Sequence, residues 1–134
     1  MSKQAVLTEG APKPLPGVYS QAIVANGFVF CSGQVPMDPA TMKLVEGDIQ
    51  AHTHQCIRNL GAVLQAAGSS LDQVVEVNVF LADIGDFAKM NEVYVQYWGE
   101  VKPARTCVAV KTLPMNTDVE IKCVGVVGKS GSKI

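Results

Sequence analysis

The chain has 134 residues, of which 48% are hydrophobic and 17% charged, and its formal net charge is −1. This length fits one domain with one core, and the near-neutral charge offers no basic surface for nucleic acid. No apolar run has transmembrane length, and no signal-peptide or transit-peptide pattern is visible. We therefore expect a soluble, cytoplasmic protein without nucleic-acid or membrane partners. Its high apolar content favours an oligomer.

The cysteines and histidines lack the spacing of a metal site. Four cysteines lie far apart, with no C-x-x-C pair: Cys31, Cys56, Cys107 and Cys123. All but Cys56 lie in apolar strand patterns, where reduced, buried thiols are usual. His52 and His54 are two residues apart on a predicted helix, so their side chains diverge. We expect no metal and no cofactor.

The first half of the chain predicts a β-hairpin followed by a long helix. Residues 1–17 are rich in Pro and Gly and are expected to start loosely. Apolar runs at 20–25 and 28–32 flank Asn26-Gly27, a dipeptide that favours a type I′ turn. Asp48 can cap a helix that runs to Ala67, where Gly68 ends it.

The second half predicts a strand, a helix and a final hairpin. In the strand 74–82, the odd-numbered apolar residues from Val75 to Leu81 share one face. Asp86 can cap a second helix with a broad apolar side from Phe87 to Trp98. The last strands, 104–112 and 118–127, are predicted to pair around Met115.

The element order β-β-(β)-α-β-α-β-β predicts one α+β domain over residues 1–127, in which two helices cover one face of a mixed six-stranded sheet. Residues 128–134 are expected to form a flexible tail. The helices leave the other sheet face uncovered, and this face is expected to pack against copies of the same chain.

Arg105 is the most informative residue. It opens an apolar strand within Pro103-Ala104-Arg105-Thr106-Cys107. A guanidinium is always charged and is costly to bury unless an anion pairs with it. Its planar guanidinium can form two parallel hydrogen bonds with a carboxylate, so Arg105 predicts a binding site for a small carboxylate. The alternative is an edge-strand arginine in a surface salt bridge.

Five further positions are candidates for the same site, and each has a structural alternative. Tyr19, at the entrance of the first strand, could line a pocket or belong to the core. Ser32-Gly33 could let a ligand approach the backbone or could simply form a turn. Asn91 could face the site or solvent, and Cys107, which shares a strand face with Arg105, favours packing over a nucleophilic role.

Glu120 is the last of these candidates, and its alternative is the polar side of an edge strand. In the predicted hairpin, Arg105 pairs near Gly125 and Glu120 pairs near Val110. About 16 Å along the sheet then separates the two charges. A direct salt bridge within one subunit is excluded at that distance. If both groups serve one small ligand, a neighbouring subunit must supply the second.

Several sequence blocks occur together in the order and spacing typical of one family. They are GVYSQA at 17–22, CSGQVP at 31–36, VNVFLAD at 77–83, NEVY at 91–94, PARTCV at 103–108, and LP at 113–114 followed by VEI at 119–121. Over nearly its whole length the chain resembles the RidA/YjgF family of imine and enamine deaminases. LVEG at 44–47 and FLADI at 80–84 look most like its fungal branch. Val18 departs from the family, which commonly has Pro there.

The resemblance implies a chorismate-mutase-like fold, a homotrimer with clefts between subunits, and hydrolysis of 2-iminobutanoate and 2-iminopropanoate to 2-oxo acids and ammonia. It implies that Arg105 binds the substrate carboxylate and that the remaining candidates line the cleft: Tyr19, Ser32, Gly33, Asn91, Cys107 and Glu120. Arg105, Glu120 and Tyr19 are assigned catalytic roles, with Glu120 holding or deprotonating the water.

Two points stay open. Relatives have been described as translation inhibitors, nucleases or chaperones, and a non-catalytic, small-carboxylate-binding trimer with a regulatory or chaperone-like role would show the same Arg105. The C-terminal Ser132-Lys133-Ile134 differs only at its last residue from the Ser-Lys-Leu peroxisomal signal. It predicts weak import, and a chance match on a solvated tail is the alternative.

Overall fold

The computed structural model of the chain describes residues 2–128. The C-terminal tripeptide with its predicted signal lies outside this range. Within it the chain forms eight strands and two α-helices, joined in places by short 3-10 turns. In chain order they are β1 (Gln4–Val6), β2 (Ala22–Ala25), β3 (Phe28–Gln34), β4 (Met37–Asp38), β5 (Lys43–Leu44), α1 (Ile49–Ala66), β6 (Val74–Leu81), α2 (Phe87–Tyr94), β7 (Ala104–Ala109) and β8 (Val119–Val126).

Six of the strands form one mixed sheet in the order β1-β2-β3-β8-β6-β7. Neighbouring strands are antiparallel except β6 and β7, which are parallel. Both helices pack on one face of this sheet, and β4 and β5 form a separate two-stranded ribbon. The predicted mixed six-stranded sheet with two helices is confirmed.

The β2–β3 hairpin turns at Asn26-Gly27 as predicted. Both residues have positive φ, 54° and 83°, as a type I′ turn requires. The N-terminal segment is more ordered than expected, because β1 pairs with β2 at the edge of the sheet. Buried Gln21 fastens the segment after β1: it accepts from the Thr8 N–H (2.8 Å) and donates to the Pro12 carbonyl (2.9 Å).

Helix α1 begins and ends as its sequence predicts. The Asp48 carboxylate accepts the backbone N–H groups of Gln50 and Ala51 at 3.1 and 3.0 Å. Gly68 follows the last turn with a φ of 84°. Apolar side chains at helical spacing are fully buried: Cys56, Ile57, Leu60, Val63 and Leu64. Burying one such leucine contributes about 1.5–3 kcal/mol to folding.

The start of α2 differs from the prediction. Asp86 occupies the N-cap position, but its side chain makes no capping hydrogen bond. The chain enters α2 directly from the 3-10 turn Ile84–Asp86, so the Phe87 N–H already donates to the Ile84 carbonyl. Asp83 caps that turn by accepting the Gly85 N–H at 2.8 Å.

The inward face of β6 also needs a correction. The register with β8 shifts between Val74 and Glu76, which marks a β-bulge. Val74 is therefore buried and Val75 is exposed, the reverse of the strict alternation predicted. From Val77 onward the expected pattern holds.

The predicted hairpin of the last two strands is wrong. β7 lies at the sheet edge parallel to β6, and β8 lies between β3 and β6. Because α2 connects β6 to β7, these strands form a crossover unit, whose strands pair in parallel. Residues 110–118 then carry the chain past β6. Arg105 is level with Val77 rather than Gly125, and Glu120 with Phe80 rather than Val110.

The sheet face away from the helices is uncovered in the single chain. Exposed apolar side chains from three strands lie on it: Phe28, Phe30, Val108 and Val126. No helix within residues 2–128 has the length and hydrophobicity needed to cross a membrane.

Candidate active site

The first group of candidate residues, the arginine cluster, consists of Arg105, Asn91 and Cys107. Paired residues of neighbouring strands point to the same side of a sheet, and Val77, the partner of Arg105, is fully buried. Arg105 therefore faces the helix side at the edge strand. Its Nη1 donates to Asn91 Oδ1 of α2 at 2.6 Å.

Two aromatic rings of α2 complete the surroundings of Arg105. Its Cζ lies 4.6 Å from the ring centroid of Tyr94 and 5.5 Å from that of Phe87. Phe87, Asn91 and Tyr94 are four and three residues apart, so they share one helix face. Both rings were expected on the apolar side of α2, and their contact with Arg105 was not predicted. The contact could have been predicted because Phe87 lies four residues before Asn91 and Tyr94 three residues after it, on the same helix face.

Arg105 has no carboxylate partner in residues 2–128. The one ion pair in that range joins His52 Nδ1 and Asp118 Oδ1, 2.7 Å apart. The surface salt bridge considered for Arg105 is therefore not seen there. A guanidinium has five N–H donors, and the structure engages Nη1 alone. The remaining donors are suited to an anion from outside this part of the chain.

Cys107 is a packing residue of this cluster. It follows Arg105 by two positions on the same strand face and packs against the core. Burial raises the pKa of its thiol, and the nearby Arg105 opposes that rise only in part. The protonated thiol is favoured, which agrees with the expected packing role.

The second group surrounds a cavity of about 330 Å³, the glutamate cavity. Its lining includes Tyr19, Gly33, Glu120, Pro114 and Met115. Burial raises the pKa of the Glu120 carboxyl, while Lys122 lowers it to a smaller extent. A Cβ at Gly33 would collide with this carboxylate, so only glycine lets Glu120 lie against the backbone of β3.

Ser32 and Gln21 build the frame of the glutamate cavity. The Ser32 hydroxyl donates to the Ser20 carbonyl at 2.6 Å, and its N–H donates to the Gln21 carbonyl at 2.9 Å. These bonds hold β3 against the segment that carries Tyr19, whose side chain is 49% exposed. Gln21 also lines the cavity. Gln21 was not among the predicted site residues, although a glutamine at the start of an apolar strand is unusual.

The histidines belong to neither group. His52 Nε2 lies 2.9 Å from the Val45 carbonyl oxygen, opposite its contact with Asp118. His54 Nδ1 lies 2.6 Å from the Tyr97 hydroxyl. The two rings thus point to different partners, as their spacing predicts.

The two groups lie on opposite faces of the sheet. Val119 and Ile121 are fully buried toward the helices, so Glu120 between them points to the other face. Arg105 and Glu120 are therefore separated within one chain, as the sequence predicts, but by the sheet itself and not by the register of a hairpin. One chain cannot bring both groups to one small molecule.

Comparison with known proteins agrees with this architecture. A family model described as Endoribonuclease L-PSP matches residues 8–127. The chain belongs to this family, also known as the RidA/YjgF family.

Three relatives illustrate the similarity. A RutC family protein of Pyrococcus horikoshii is 52% identical over 122 residues, which cover 91% of this chain and 96% of the relative. The chloroplastic Reactive Intermediate Deaminase A of Arabidopsis thaliana is 41% identical over 124 residues, covering 92% and 66%. The crystal structure of yeast Mmf1 superposes with a TM-score of 0.90 at 43% identity, covering 94% of this chain and 99% of that one.

Proposed function

We propose that the protein hydrolyses reactive 2-imino acids and their enamine tautomers, with 2-iminobutanoate and 2-iminopropanoate as substrates, to 2-oxo acids and ammonia. One observation carries the proposal: Arg105 is partly buried and held by α2, yet has no carboxylate partner within residues 2–128. Membership in a family that includes a protein named as a reactive intermediate deaminase supports it.

The residues suit this chemistry. Arg105 binds the substrate carboxylate through its fork and thereby fixes the position of C2. Water adds to C2 of the imine, whose nitrogen is protonated. The C=N π electrons move to nitrogen, and Glu120 takes a proton from the water. Glu120 then returns its proton to the nitrogen, and the C–N bond breaks with its electron pair leaving on ammonia. The hydroxyl oxygen forms the C=O bond of the 2-oxo acid, and its proton passes to Glu120 and from there to solvent. Tyr19 offers its hydroxyl to orient the water.

The raised pKa of Glu120 suits both halves of this sequence. A buried carboxylate is a stronger base than an exposed one and also holds its proton until it returns it to the nitrogen. An iminium carbon is already electrophilic, so a positioned water and a base are sufficient for attack.

We propose that the active unit is a homotrimer with three shared sites. Arg105 and Cys107 of one subunit then face Tyr19 and Glu120 of its neighbour. The separation of these pairs by the sheet supports this arrangement, since a single chain leaves each half incomplete. The uncovered apolar face offers the surface that assembly would bury.

Mixed subunits test the shared site. Arg105→Ala and Glu120→Ala are each expected to be inactive alone, and joint refolding should restore part of the activity through sites built from two intact halves. Recovery is measured after mass spectrometry confirms mixed assemblies. A monomer by light scattering, or mixed assemblies that stay inactive, would contradict the proposal.

The activity itself is tested by generating the imine in place. With threonine dehydratase kept saturated, the protein is expected to accelerate 2-oxobutanoate formation beyond the rate of spontaneous imine hydrolysis. Semicarbazide, which captures the imine, reports what remains unhydrolysed. A rate of 2-oxobutanoate formation that is unchanged at all protein concentrations would contradict the proposed enzymatic activity.

A non-catalytic, small-carboxylate-binding trimer with a regulatory or chaperone-like role is the second candidate. The arginine cluster favours it specifically, because that cluster alone can hold a carboxylate without help from Glu120. Binding of 2-oxobutanoate without any acceleration would select this function.

The cytoplasmic location and the peroxisomal signal stay predictions. The related Mmf1 of Saccharomyces cerevisiae is mitochondrial, and residues 132–134 lie outside the described range.

A further inference from the structure

The side chain of Arg105 lies against two rings of different exposure. Tyr94 is 6% exposed and Phe87 is 40% exposed, and both centroids lie within 6 Å of the guanidinium carbon. A cation at this distance is attracted to the face of an aromatic ring. With Asn91, the rings leave Arg105 in contact with three side chains of one helix face.

The hydroxyl of Tyr94 makes no contribution to this contact. It is buried and has no hydrogen-bond partner within residues 2–128. Burial raises its pKa, with Arg105 opposing. A buried hydroxyl without a partner destabilises a fold, so what position 94 supplies is the ring.

We propose that Phe87 and Tyr94, the aromatic clamp, are positioning residues that fix the guanidinium of Arg105 in the orientation that receives a carboxylate. The proposal rests on the proposed function and deepens it. An arginine side chain has many rotamers, and the hydrogen bond to Asn91 leaves rotation about that contact. Two rings restrict this rotation, while the donors that Asn91 does not use stay open.

The competing interpretation is that both rings only fill space between α2 and β7. Leucine would then serve nearly as well as an aromatic residue at either position. The positioning role requires an aromatic ring at both positions and does not depend on the hydroxyl of Tyr94. Tyr94→Phe is therefore the conservative variant, and Tyr94→Leu and Phe87→Leu are the disruptive ones.

Arginine side-chain NMR tests the clamp without any need for activity. The chain has two arginines, and exposed Arg58 provides an internal reference. In the wild type and in Tyr94→Phe, the Arg105 Nη protons should be resolved and shifted upfield by the rings. In Tyr94→Leu and Phe87→Leu the Nη protons should average into one signal, because rotation of the guanidinium is freed. Loss of the ring-current shift alone follows from removing either ring and does not test the clamp.

Kinetics on the same variants give the second readout. Both leucine variants should lower kcat/KM by about tenfold, mainly through a higher KM. Because Phe87 is partly exposed, Phe87→Leu should do so at a nearly unchanged melting temperature. Tyr94→Phe should stay within about twofold of the wild type.

Arg105 Nη protons that stay separately resolved in both leucine variants, or are already averaged in the wild type, overturn the clamp. Should Tyr94→Leu fail to fold, Phe87→Leu decides alone, since that side chain is partly exposed. Should the wild type lack imine hydrolysis, the proposed function fails, and the NMR comparison still decides the clamp.

Discussion

Replacing Arg105 with alanine is expected to abolish nearly all imine hydrolysis and to leave the fold intact. The residue lies on an edge strand and is partly exposed, so truncation leaves no large cavity in the core. The substitution removes the group that binds the substrate carboxylate. The imine carbon is then no longer held in position relative to the water. The measurement is kcat/KM in the coupled dehydratase assay, with circular dichroism to check folding.

Arg105→Lys is expected to rescue little, because an ammonium is a point charge without a planar fork. Retention of more than about a tenth of wild-type turnover would limit the loss to roughly 1.4 kcal/mol and contradict bidentate binding. Arg58→Ala is the matched control. It removes the other arginine, which is exposed on α1, and should keep wild-type activity.

Glu120→Gln is expected to lower kcat about 100-fold or more, since an amide of the same shape cannot accept the proton of water. Stability should move the other way. Burial raises the pKa of Glu120, so at neutral pH the folded protein bears the cost of an ionised, partly desolvated carboxyl. The melting temperature of Glu120→Gln at pH 7 should therefore equal or exceed that of the wild type. A clear fall would show that Glu120 is structural.

The pH dependence of activity has its origin in the same shift. Because the base must be ionised, wild-type activity should fall as the pH drops through the raised pKa of Glu120, after subtraction of spontaneous hydrolysis. Lys122 lowers that pKa, so Lys122→Met should move the acid limb to higher pH. A limb that does not respond to Lys122 would assign the titration to another group.

The sequence predicted those elements whose boundaries are set by residues close together in the chain. Helix α1 follows from its Asp48 cap, its apolar spacing and Gly68, and the β2–β3 turn follows from Asn26-Gly27. The pairing of β7 was missed because adjacency in the chain favoured a hairpin. Which strands become neighbours depends on how α2 packs and on the length of the connection at 110–118, and neither is encoded in a strand's own pattern.

The candidate site was likewise predicted in its residue types but not in their arrangement. Arg105 and Glu120 were chosen because charge is unusual in an apolar strand, and their residue types were sufficient for that inference. Their placement on opposite faces required the central position of β8. The rings around Arg105 required the orientation of α2, since Phe87 and Tyr94 are ordinary core residues by type.

A division of the site between two faces has a genetic consequence. In mixed trimers of the proposed kind, a chain lacking only Arg105 would disable the one site to which it gives that face, so the defect would be recessive. A chain lacking both Arg105 and Glu120 would disable a site on each side of itself and would act as a dominant inhibitor of its wild-type partners.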